Sequence, residues 1–187
     1  MATRSVLPFV VETGQAGSDS TSYCTVDFAD IFLDRVPDAY KAVWLAADVF
    51  LKEQALVWAT SLLDSYIYFP QYNQPYRSIR LTRNQALHFP RAGLSDYDGW
   101  VIDERSVPVF MQQATAMLAF ELCKSDRVVE PTRGLISASV GPLSVHFDSN
   151  YSHTSRVIPR SVLAIVSPFG GRLRGAPGLK SVPLFRA

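Results

Sequence analysis

Three histidines, two cysteines and one acidic turn are the groups whose types and positions could do chemistry in this chain. His88, His146 and His153 fall on an expected helical turn, a strand and a loop, with no HExxH or CxxC spacing to gather a metal. Asp96-x-Asp98-Gly99 has the look of a calcium loop, but its register fails. With Gly99 at the sixth position, the first and twelfth are Leu94 and Arg105, where carboxylates are needed. An Asp/Gly turn is the expected form. Asp103 and Glu104 are adjacent at a helix entrance, where the helix dipole accounts for them. There is no GxSxG, P-loop or GxGxxG. Cys24 and Cys123 sit beside apolar helical positions and read as buried thiols in a reducing compartment. The expectation is a non-enzyme with no cofactor and no metal.

Binding chemistry is better represented. Tyr72, Tyr76, Arg77, Arg80 and Arg83 interleave between residues 66 and 83, where they could stack on and clamp single-stranded nucleic acid. The competing expectation is that these aromatics seal the open end of a helical core and that the arginines are solvated. The net charge of +1 hides a split. Residues 1–148 hold all seventeen acids and twelve of the eighteen bases, a balance of −5. Residues 149–187 hold Arg156, Arg160, Arg172, Arg174, Lys180 and Arg186 and no acid, a balance of +6. The basic end is expected to meet something negative: nucleic acid, an acidic protein, or the body of another copy.

The elements that must position these groups are mainly helical. Residues 6–12 read as an edge strand or extended arm because of Pro8, and 14–21 as a Gly/Ser/Asp loop. Thr25 should cap a first helix with Phe28, Ile31 and Phe32 on one face, closed by Val36-Pro37. Trp44 follows in a linker. Asp48 should cap a core-facing helix with a stripe of Ala55, Leu56, Ala59, Leu62, Leu63 and Tyr66, leaving Lys52, Glu53, Thr60 and Asp64 largely off it. Thr82 could cap a short helix that turns Ala86 and Leu87 inward and stops at Phe89-Pro90, with Arg91 and Gly93 forming a corner. Ser106 should cap a further helix with Pro108 near its first position. That helix carries Met111, Ala114, Thr115, Leu118 and Leu122, widened by Phe110, Met117 and Phe120, and belongs at the centre of a bundle.

After about residue 135 the apolar period changes to two. Ile136, Ala138 and Val140, then Leu143, Val145 and Phe147, alternate with polar residues about Gly141-Pro142, which reads as a hairpin over about 135–148. Pro159 opens a short helix with Val162, Leu163 and Val166. The rest is Gly/Pro-rich and basic, with Leu173, Leu179, Val182, Leu184 and Phe185 as spaced apolar anchors. The expected architecture is therefore mainly α: a small helical bundle with an inserted β-hairpin (1–166) and an extended basic C-terminal arm (167–187). No apolar run is long enough to span a bilayer, and the start is too short and too soon acidic for a secretory signal.

The succession of these pieces resembles the phage head–tail connector (neck adaptor) proteins, whose domain is often labelled DnaT-like or single-stranded-DNA-binding. The matching stretches are Ser20-Thr-Ser-Tyr23, the helix from Ala55 to Leu62-Leu-Asp64, Gln85-Ala-Leu-His-Phe-Pro-Arg-Ala-Gly93 with Asp98-Gly99, Val107-Pro108 with Ala114 and Ala119, and Val140-Gly-Pro-Leu-Ser-Val145. They cover about residues 6–166. The resemblance implies a structural virion protein of the head–tail junction, present in the host cytoplasm during assembly. It would form a homo-oligomeric ring, twelvefold in such necks, between the portal protein and a tail or nozzle protein. Genomic DNA would pass through the lumen without sequence-specific binding, and no membrane would be involved. It also implies portal docking by Arg172, Leu173, Arg174, Leu179, Lys180, Val182, Leu184, Phe185 and Arg186. Subunit contacts would come from Arg91, Ile136, Val140, Val145 and Phe147. The rival expectation is the literal label, a single-stranded-DNA-binding replication accessory protein, supported by the tyrosine/arginine loop at 72–83 and the basic tail and opposed by the acidic balance of the body.

Overall fold

A computed structural model describes residues 8–37, 41–69, 78–96, 98–124, 137–140, 143–146 and 157–174. Among the described residues five helices surround a common core, and there are three two-stranded ribbons. Helix α1 is Val26–Asp34, α2 Lys41–Ala46, α3 Val49–Tyr66, α4 Val109–Lys124 and α5 Arg160–Val166. Strands β1 (Ile67–Tyr68) and β6 (Arg172–Leu173) pair antiparallel, as do β2 (Ile79–Arg80) with β3 (Arg91–Ala92), and β4 (Ser137–Val140) with β5 (Leu143–His146). A helical core with small hairpins is present, but two ribbons that the sequence did not announce make the described residues more mixed than the mainly α expectation.

Helix α4 is the centre, as its nearly all-round apolar sequence requires, and it packs against α1, α2, α3 and α5. Phe110, Met111, Ala114, Leu118, Ala119 and Phe120 are buried along it, each large side chain contributing roughly 1.5–3 kcal/mol. Ser106 is not its cap. The helix begins at Val109, with the Pro108 carbonyl accepting from Met111 and Gln112 N–H, while Ser106 lies three residues before it. Proline fixes the backbone entry here and no side-chain cap is needed.

Thr25 and Asp48 cap α1 and α3 as expected, accepting from Phe28 N–H at 3.0 Å and Leu51 N–H at 2.7 Å. Helix α3 buries Ala55, Leu56, Ala59, Leu62 and Leu63, but Tyr66 is exposed, and Lys52 and Thr60 are inside. Lys52 is tolerated there because its ammonium reaches Asp30 (2.9 Å), whose carboxylate also accepts from the Trp44 indole N–H (2.7 Å). Thr60 returns its hydroxyl to the Leu56 carbonyl at 2.9 Å. Trp44 lies in α2, not in a linker, and is fully buried. In α1 the buried residues are Ala29 and Leu33, while Ile31 is exposed, so the true face is rotated from the expected one.

Residues 82–89 form no helix. Gln85 holds them in successive turns: its amide oxygen accepts from Thr82 N–H, and its amide nitrogen donates to the Leu87 and Pro90 carbonyls. A buried amide that satisfies three backbone groups outcompetes one marginal helical turn. Ala86 is exposed and Leu87 buried. The Phe89-Pro90 peptide is cis. Asp96-x-Asp98-Gly99 is a turn as expected, with one Asp96 oxygen accepting from Asp98 and Trp100 N–H and Gly99 at φ +87°.

The hairpin pairs Val140 with Leu143 and Ser137 with His146, inside the expected 135–148 span. The stretch from residue 167 does not leave the body at once. Ser167–Phe169 is a 3-10 turn, and Phe169 stacks on Phe110 with ring centroids 4.2 Å apart. Gly170, at φ +85°, and Gly171, whose N–H donates to the Val166 carbonyl, then turn the chain back to place β6 beside β1. A side chain at Gly171 would overlap Val166.

Candidate nucleic-acid interface

Two ribbons bring tyrosine and arginine side chains from distant parts of the sequence to one edge of the helical core. In β1 the strand alternation buries Ile67 and exposes Tyr68. Across the ribbon, Tyr68 is opposite Arg172 and Ile67 opposite Leu173, and the Arg174 N–H donates to the Tyr66 carbonyl at 2.7 Å. In the second ribbon Arg80 is opposite Arg91. Tyr66, Tyr68, Arg80, Arg172 and Arg174 are exposed, and Arg83 lies exposed just after β2.

The two ribbons share a base, built around Tyr23, Asp64 and His88. The Tyr23 hydroxyl donates to Asp64 at 2.6 Å and accepts from the Phe89 N–H at 3.0 Å. The second Asp64 oxygen accepts from the His88 N–H at 2.9 Å. Arg91 clamps the corner, its guanidinium donating to the Ser78 hydroxyl, the Ser78 carbonyl (2.6 Å) and the His88 carbonyl. Beneath them Phe69, Phe89 and Phe110 pack edge-to-face or tilted, at centroid distances of 5.2 to 6.2 Å. Phe69 thus seals the core as one expectation held, while Tyr66 and Tyr68 from the same aromatic run face outward.

Electrostatics fix where the arginines are. Burial, then the charges of Arg80, Arg91 and Arg174, hold the His88 imidazole down at about 4. Three guanidiniums, from β2, β3 and the residue after β6, therefore converge on one histidine. Burial likewise lowers Arg91, and Arg80 and Arg174 add repulsion. Asp64 is pushed up to about 6 by burial, despite its hydrogen bonds and the nearby arginines. The His88 ring nitrogen is 3.8 Å from Asp64, too long for a hydrogen bond, and near pH 5 both groups are neutral. The outcome is a positive surface on a hydrogen-bonded base.

Of the residues expected to dock on a portal, Arg172, Leu173 and Arg174 lie on or next to β6, with Leu173 partly buried against the core. Leu179, Lys180, Val182, Leu184, Phe185 and Arg186 are outside the described residues. Of the expected subunit contacts, Arg91 is the corner clamp, Val140 and Val145 lie in β4 and β5, and Ile136 and Phe147 are outside the described residues. From the tyrosine/arginine loop, Arg80 and Arg83 are placed at the ribbon edge, and Tyr72, Tyr76 and Arg77 are outside the described residues. Sequence reasoning missed Tyr66, Tyr68, Arg172 and Arg174 as partners of Arg80. The signal was the alternation of Ile67, Tyr68 and Phe69, which a two-residue strand is too short to declare.

Cys24 is buried, and its thiol is pushed up to about 12 by desolvation; Cys123 is half-buried and also raised. Neither is in a disulfide. Among the described residues no group of histidine, cysteine or carboxylate side chains could hold a metal ion. None of the described helices is long and apolar enough to cross a membrane.

A family model described as "Putative DnaT-like ssDNA binding protein" matches residues 7–187. Comparison with curated proteins and with solved structures gives no match. The family match overturns the connector identity expected from the order of motifs. It supports the DnaT-like half of that resemblance and not the neck adaptor half. With the connector identity go the virion role and the partners expected with it: the portal, the tail or nozzle protein, the twelvefold ring and a DNA-filled lumen. Weak motifs in a fixed order identified the scaffold, and the scaffold did not carry the assembly role read into it.

Proposed function

We propose that this chain, which belongs to the family of putative DnaT-like ssDNA binding proteins, binds single-stranded DNA at the two-ribbon edge. The observation that carries the reading is the pairing of Tyr68 with Arg172 beside that of Arg80 with Arg91. Exposed aromatic rings offer stacking platforms to unpaired bases, and adjacent guanidiniums neutralise the phosphates between them. Both contacts tolerate any base, so binding without strong sequence preference follows.

The acidic balance of residues 1–148 stood against this function. It counts charge without locating it. Arg174 from the basic end acts on His88 together with the body's own Arg80 and Arg91, and Arg172 stands opposite Tyr68 in the same ribbon. The reading is of a binding protein and not an enzyme: the Tyr23–Asp64–His88 group is spent on backbone and corner contacts that hold the ribbons. Titration of a fluorescent oligothymidylate with the full chain and with Arg80→Ala and Arg174→Ala tests it. Weaker binding by both variants supports the edge as the site, and unchanged binding removes it.

A further inference from the structure

Helix α3 turns one face to α4 and α1, and its other face has the spacing of a second packing seam. Leu51, Gln54, Trp58, Ser61 and Ser65 follow one another in alternating steps of three and four, as side chains do that meet a facing helix. All five are exposed, and none of the exposed residues of α2 or α3 carries a charge. The Ser61 hydroxyl donates to the Val57 carbonyl at 3.1 Å and the Ser65 hydroxyl to the Ser61 carbonyl at 2.8 Å. Both hydroxyls are thereby satisfied within the helix, and Gln54 brings a polar group to the middle of the seam.

The size and character of the surface say what can cover it. Val43, Leu45, Val49, Phe50, Leu51 and Trp58 are 41–63% exposed and together open on the order of 600 Å². A specific dimer buries about 800 Å² per copy, and Gln54, Ser61 and Ser65 extend the patch toward that figure. A face without charge offers nothing for an acidic or basic partner to match, and brings no like charges together when it meets itself. Its residues are also graded, bulky at the amino end and small at the carboxyl end, which an antiparallel copy of the same helix complements.

We propose that this face joins two copies of the chain, with α3 packed antiparallel on α3 of the second copy about a twofold axis beside Gln54. In that register Leu51 of each copy meets the partner's Trp58, and the two Gln54 amides face each other at the axis, where a polar pair fixes the alignment. The bulky amino end (Leu45, Val49, Phe50) lies over the partner's Ser61 and Ser65. The pairing goes beyond DNA binding and does not depend on it. The two Tyr66 ends of α3, each leading into its own ribbon, come to lie about 35 Å apart, at about 1.5 Å per residue.

Sedimentation equilibrium of the full chain without DNA, over a range of protein concentrations, tests the pairing. The native chain is expected to approach the mass of a dimer. Leu51→Glu and Trp58→Glu, each checked for folding by circular dichroism, should raise the dissociation constant by roughly thirtyfold or more, the loss of an anchor central to an interface. A native chain that stays monomeric, or a dimer undiminished in both variants, overturns the proposal. The alignment is tested by mild oxidation of Gln54→Cys and Ser65→Cys proteins beside the native chain. A covalent dimer is expected from Gln54→Cys and not from Ser65→Cys, because the two Ser65 positions stand about 31 Å apart along the pair. Crosslinking through Ser65→Cys, or none through Gln54→Cys, overturns the antiparallel register.

Discussion

Tyr68 stands directly opposite Arg172 across the β1–β6 ribbon, 104 positions away in sequence. One is the residue that follows the long α3–Ile67 run, and the other belongs to the acid-free C-terminal stretch. Their pairing brings an arginine of the basic C-terminal stretch against a tyrosine of the acidic body.

Tyr68→Ala is expected to weaken oligothymidylate binding by about 1–3 kcal/mol, the usual worth of one base–aromatic stack. Tyr68→Phe should retain most of it, since the ring and not the hydroxyl makes the contact. Isothermal titration of both variants checks this, and equal loss in the two would point to the hydroxyl instead.

Removing a single phosphate contact should be visible in salt dependence more clearly than in affinity at one salt. Arg80→Ala and Arg174→Ala should each lower the slope of log K against log salt by about 0.7. A slope unchanged in both variants would place the phosphates elsewhere.

Gly171 has no room for a side chain against Val166, so Gly171→Val should displace β6 and carry Arg172 and Arg174 away from the ribbon edge. Loss of DNA affinity with retained helical circular dichroism is expected. A variant that binds normally would show that the return of β6 is not needed.

The hydroxyl of Tyr23 serves Asp64 and Phe89 together, both on the protein's inner side of the ribbons. Tyr23→Phe leaves a buried N–H and a carboxylate oxygen short of a partner, at a cost of about 1–3 kcal/mol. Chemical denaturation measures it.

Asp64 and His88 make opposite contributions to pH dependence. Asp64 is raised to about 6 in the fold, so the folded state holds its proton longer, and stability falls as pH rises from about 4 to 6. His88 is lowered to about 4, so the unfolded state takes a proton first, and stability falls as pH drops from about 6.5 to 4. The two nearly offset each other across the shared window. Asp64→Asn should leave stability rising with pH there, and His88→Gln should leave it falling, as read by urea denaturation at several pH values.

The helices were legible because their signals are local: Thr25 and Asp48 as caps, and the nearly continuous apolar surface of α4. Lys52 and Thr60 were misplaced because their burial depends on one distant carboxylate and one backbone carbonyl. The expected helix at 82–89 lost to Gln85, whose side-chain bonds no periodicity reveals. The interface was half legible. Arg80 and Arg83 stood out by their aromatic neighbours, but a ribbon of two residues per strand has no period to read, and its register joins residues 67–68 to 172–173. The basic end drew attention for its charge and was assigned to an outside partner, while its first residues turn back onto the protein's own edge.

The most direct test is fluorescence anisotropy of labelled oligothymidylate with the full chain over a range of salt, beside the triple variant Arg80→Ala, Arg172→Ala, Arg174→Ala. Saturable, salt-sensitive binding by the native chain that is lost in the folded triple variant is the predicted result. Absence of binding by the native chain at low salt, or binding undiminished in the variant, would contradict the two-ribbon edge as a single-stranded-DNA site.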